Sequence, residues 1–166
     1  MLTRSHSAAG IPSEAVYSDC ERYRYLLTRS WAPGPKALFV MLNPSTATEI
    51  QNDPTVERCQ RRAMALGFGS FRVTNIFAFR ATDPREMRAQ HDPVGPENDR
   101  AILDSLPWAD LVLCAWGNHG LHLDRGARVG AMLRQAGVPL FHLGLTGQHQ
   151  PRHPLYVAYD QQPQPW

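Results

Sequence analysis

Lysine is nearly missing from this chain: Lys36 stands alone among seventeen basic residues, and the other sixteen are arginine. Guanidinium groups meet phosphate and carboxylate bidentately, which an ammonium group cannot do. Yet the net charge is only +2, which excludes a general electrostatic hold on nucleic acid. The excess is local: seven arginines (58, 61, 62, 72, 80, 85, 88) face only Asp83 and Glu86 between Arg58 and Arg88. That stretch is either a solvated helix face or a phosphate-facing patch.

Cysteine is scarce too. Cys20, Cys59 and Cys114 are an odd set at no metal-like spacing, which argues against a disulfide framework and reads as reduced thiols. His142, His149 and His153 lack a thiolate or carboxylate cluster to complete a zinc motif, so no metal and no cofactor is expected. No apolar run approaches the ~18 residues of a membrane span, and the first twenty residues lack the apolar segment of a signal peptide, so a cytoplasmic protein away from membranes is expected. A phosphate-cradling glycine loop is missing as well, since "GFGSF" precedes a strand instead of opening a helix.

What remains is alternation. At 166 residues the chain suits one domain, placed here at residues 21–166 behind a loosely held arm of residues 1–20. "RYRYLLTRSW" (22–31) reads as an edge strand. "ALFVML" (37–42) is a continuous apolar run, the mark of a strand covered on both faces. "DPTVERCQRRAMALGFG" opens a helix with Asp53 as a candidate N-cap and Pro54 at its first position. Strands at 71–79, 110–116 and 139–145 then alternate with helices at 95–108 and 121–137. This pattern predicts a three-layer α/β/α fold with a mostly parallel central sheet, in which ligands sit beyond the carboxyl ends of the strands.

Those ends carry polar groups. Asn43, Ser45 and Thr46 follow the first parallel strand, and Asn75 lies within the second. Trp116 and Asn118 follow the third, and Arg152 and His153 lie in the loop after the fourth. A side-chain amide presents one donor and one acceptor in a plane and can pair with a nucleobase edge. Structural alternatives stand beside this reading: an Asx-turn for Asn43, backbone partners for Asn75, a core role for Trp116 and a structural hydrogen bond for His153.

"LFVMLNPSTA", "VTNIFAFRAT", "LVLCAWGNHG" and "PRHPLY" together resemble the motifs of the uracil-DNA glycosylase superfamily. "MLNPSTA", "NDPT", "DPVGPEND", "AWGNHG" and "PRHPLY" resemble more closely the bacterial family catalogued as domain of unknown function 1643, whose name carries no activity. The superfamily resemblance implies a glycosylase-like fold in which Asn43 orients water, Asn75 reads the base edge and His153 donates to a carbonyl oxygen of the departing base. Asp53 is the nearest acid to activate water, or else a helix cap. The chain departs from that pattern in lacking an acid directly before Pro44 and a serine-rich wedge after the His-Pro pair, where only Leu155 or Tyr156 could insert. The expected function is recognition of a nucleobase, with cleavage of an N-glycosidic bond as the activity or, as the alternative, binding of a nucleotide or nucleic acid without catalysis. The expected partner is a nucleotide, a nucleoside or a single strand; duplex DNA is disfavoured.

Overall fold

The computed structural model describes residues 1–166 and begins with a hairpin where an arm was expected. β1 (Leu2–Ala8) pairs antiparallel with β2 (Ile11–Tyr17) through a turn in which Ala9 and Gly10 both take positive φ, 52° and 76°. Such turns match the twist of the strands they join. β3 (Arg24–Ser30) pairs with β2 on one side and with β5 (Ser70–Asn75) on the other. It is therefore an interior strand, and the edge-strand expectation is corrected: the unforeseen hairpin covers that side.

β4 (Lys36–Met41) lies between β5 and β6 (Leu111–Cys114), parallel to both. β6 runs parallel to β7 (Leu140–His142), and the short β8 (Gln164–Pro165) returns antiparallel along β7. The result is one mixed sheet of eight strands in the order β1-β2-β3-β5-β4-β6-β7-β8. Four of its seven pairings are antiparallel, so the mostly parallel sheet is not what forms. Connection length accounts for two of these antiparallel pairings, β1–β2 and β2–β3, while β3–β5 and β7–β8 join strands far apart in the chain. β1, β2 and β3 follow one another through short turns, which join only antiparallel neighbours, whereas β4 to β7 are separated by helical crossovers that allow parallel pairing.

β4 is apolar throughout because both its faces are buried. Ala37, Phe39 and Met41 join one core cluster, and Leu38 and Val40 join the other. α1 (Pro54–Ala65) packs Val56, Cys59 and Ala63 into the first cluster. α3 (Asn98–Ser105) and α4 (Arg125–Gln135) place Ile102, Val129 and Leu133 in the second, which also takes Met87 of the short α2 (Pro84–Arg88). A 3-10 segment, Asn118–Asp124, precedes α4 where continuous helix was expected. No helix is long and apolar enough to cross a membrane.

Candidate functional site

The carboxyl ends of β4, β5 and β6 open into a cleft of about 540 Å³, within the size range of small-molecule sites. Asn43, Ser45, Asp53, Asn75, Trp116, Asn118, Arg152 and His153 all line it. Thr46 does not, although it is exposed. Thr146 also lines the cleft, while Gln148 and His149 of the same loop do not.

Asn75 is the last residue of β5 and is 2% exposed. Just beyond it the backbone N–H groups of Ile76 and Phe77 still donate to the carbonyls of Met41 and Leu42, so the end of β5 stays tied to the end of β4. The Asn75 side chain does not find backbone partners as the structural alternative required, since its Oδ1 is buried with no hydrogen-bond partner. The carbonyls of Asn75 and Ile76 are taken by the Asn98 amide, and Ile76 also accepts from Arg125 Nε at 2.7 Å. The backbone around Asn75 is satisfied while its amide oxygen faces none of it.

His153 stands before the 3-10 turn Pro154–Tyr156. Its Nδ1 accepts the Leu155 N–H at 3.3 Å, which in the neutral ring puts the proton on Nε2. Burial pushes its pKa down to about 4, and the nearby Asp53 carboxylate opposes this only in part. At neutral pH the cleft therefore contains an uncharged imidazole with an Nε2–H that bonds to no protein group.

Asp53 serves structure first. One carboxylate oxygen caps α1 by accepting from Val56 N–H at 2.8 Å, and the other accepts from Ala47 N–H at 3.1 Å. Asn43 is likewise engaged through its amide nitrogen, which donates to the carbonyls of Pro44 and Ala81 at 3.1 and 2.9 Å. This bond set ties the loop after β4 to the segment after β5 and leaves the amide oxygen. Trp116 is a core residue, 1% exposed, with Nε1 donating to Gln150 and its ring edge-on to Trp166; it walls the cleft and presents no face for stacking. Ser45 reaches Thr82 at 3.5 Å, and Asn118 accepts from the Thr146 hydroxyl at 2.6 Å. Gly117, at φ 70°, sends its N–H to the Pro151 carbonyl and joins the loop after β6 to the one bearing His153. A side chain there would be strained by that φ.

The arginine-rich stretch does not border the cleft: none of the seven lines it. Arg58 and Arg62 donate to carbonyls between Pro154 and Gln161, Arg61 and Arg85 pair with Glu57 and Asp83, and Arg72 and Arg80 lie over the rings of Trp108 and Tyr17. The phosphate-facing patch is thus not what forms: Arg58 and Arg62 are internal clamps, while Arg61, Arg85 and Arg88 are exposed, as the solvated-face alternative expected. Sequence reasoning missed Arg24, which is buried against the cleft. Its place in an apparent edge strand hid it. No group of three or more His, Cys, Asp or Glu side chains assembles as a metal site.

The same motif-bearing segments that build this cleft match a family model over residues 24–155. The chain belongs to the family described as Protein of unknown function (DUF1643). The DUF1643 match spans β3 through the His153 loop and takes in every residue that lines the cleft except Tyr156. No curated protein and no solved structure matches the chain.

Proposed function

We propose that this DUF1643 protein binds a nucleobase-containing small ligand, with the planar base against Asn75 and His153. The observation that carries the reading is the pairing, in one cleft, of a buried amide oxygen without a partner and a neutral imidazole with a free Nε2–H. A buried unpaired acceptor costs about 1–3 kcal/mol, and a donor on a base edge removes that cost. The resemblance of the loop motifs to the uracil-DNA glycosylase superfamily supports the same assignment of Asn75 to the base edge and His153 to a base oxygen.

Cleavage of the N-glycosidic bond is the activity these groups suit. The C1′–N bond breaks with its electron pair moving to the base, His153 stabilises the charge on the base oxygen, and water held by Asn43 Oδ1 adds to C1′. The proton that water loses ends on the departing base, giving neutral base and a C1′ hydroxyl. A second reading, binding without catalysis, is favoured by Asp53: it is the sole carboxylate lining the cleft, and both its oxygens already accept backbone N–H groups.

Assays of base release and of binding on nucleosides, nucleotides, single strands and duplexes decide between them. We expect saturable binding that Asn75→Ala weakens. Release of free base makes the protein an N-glycosidase, and binding without release makes it a recognition module. Failure to bind any base-containing compound overturns both.

A further inference from the structure

Arg24 is the cleft residue whose burial the fold leaves unexplained. It is 1% exposed, its Nη1 donates to the Ala47 carbonyl at 2.7 Å, and its Nε has no partner. It forms no salt bridge, and a buried guanidinium without a paired anion is a strongly unfavourable placement. Arg62 is equally buried, likewise forms no salt bridge and also has an unpartnered Nε, but it differs in donating to three backbone carbonyls and in staying out of the cleft. Arg24 has one such bond and lines the cleft.

The charges around it are unbalanced. Arg24 and Arg152 line the cleft against Asp53 alone, and Asp53 has both oxygens taken by backbone N–H groups. Burial lowers the Arg24 pKa to about 10, which leaves it cationic at neutral pH. The first turn of α1 (Pro54, Thr55, Val56) lines the same space and adds the positive end of a helix dipole, partly offset by its Asp53 cap.

We infer that Arg24 is an anion seat and that the ligand is a nucleotide held there by phosphate, in preference to a neutral nucleoside or free base. The inference rests on the nucleobase reading above and narrows its substrate class. A guanidinium fork donates to two phosphate oxygens at once, and one phosphate would supply the counter-charge that the fold withholds.

Calorimetric titration of the unmodified chain with nucleosides, their 5′-monophosphates, dinucleotides, ribose 5-phosphate and inorganic phosphate tests this. Phosphorylated nucleosides should bind about tenfold or more tighter than the nucleosides, and Arg24→Gln should remove that gap while Arg24→Lys keeps part of it. Dinucleotides binding as well as monophosphates would identify a bridging phosphate, and a preference for monophosphates a terminal one. Equal affinity for nucleosides and nucleotides in the unmodified chain, which needs no variant to fold, overturns the anion seat and spares the base reading. Ribose 5-phosphate binding as tightly as nucleotides, with Asn75→Ala without effect, overturns the base reading and spares the seat. No binding by any compound overturns both.

Discussion

Asn75 carries a liability that a purely structural residue would not. Its amide oxygen is buried without a partner, so Asn75→Ala removes an unfavourable group along with a few packing atoms. Unfolding free energy in urea should change by no more than about 1 kcal/mol, while ligand affinity falls about tenfold. A large loss of stability with unchanged affinity would return Asn75 to a structural role. His153 makes a second residue-scale expectation, through pH. Its folded pKa of about 4 lies below the ordinary 6.5, so between those values the unfolded chain binds more protons. Its contribution to stability is complete above pH 6.5 and is lost as pH falls toward 4. Thermal melts from pH 4.5 to 7.5 should show this slope, and His153→Gln should flatten it. The sequence announced Asn75 because an amide beside apolar strand residues demands a partner. It did not announce Arg24, because nothing local tells whether a guanidinium in a strand turns outward or in.

At the scale of elements, α1 is both cap and clamp. Asp-Pro at its start was legible, because Asp53 and Pro54 supply what a first helical turn needs. The work of its arginines was not, since Arg62 donates to carbonyls of Val157, Ala158 and Gln161, more than ninety residues away. Arg62→Ala leaves those carbonyls without their donor and should cost about 3 kcal/mol in chemical denaturation. It should also weaken ligand binding, because the freed segment adjoins the turn that presents His153. Arg62→Lys, with a single ammonium in place of a fork, should rescue little of either.

For the whole molecule, the parallel strands β4 to β7 were readable as short apolar runs between helical patterns. The hairpin was not. "LTRSHSA" has no apolar alternation, and its strand is held by main-chain pairing with β2 while its side chains stay largely exposed. β2 nevertheless contributes Ala15 and Tyr17 to the first core cluster, and the Tyr17 hydroxyl donates to Glu49 at 2.8 Å. Deleting residues 1–17 strips β3 of a neighbour and opens that core. The truncated chain should lose its cooperative melting transition, whereas an arm would have come away without consequence.

The cross-links among the cleft's loops have a kinetic corollary. Asn43 fastens one wall to Ala81, Gly117 fastens another to Pro151, and Arg58 and Arg62 fasten the third to α1. If the cleft binds as proposed, the ligand should meet a receptacle already in shape, so little ordering should accompany its entry. Differences in affinity between related ligands should then show mainly in the dissociation rate, which stopped-flow measurement would check.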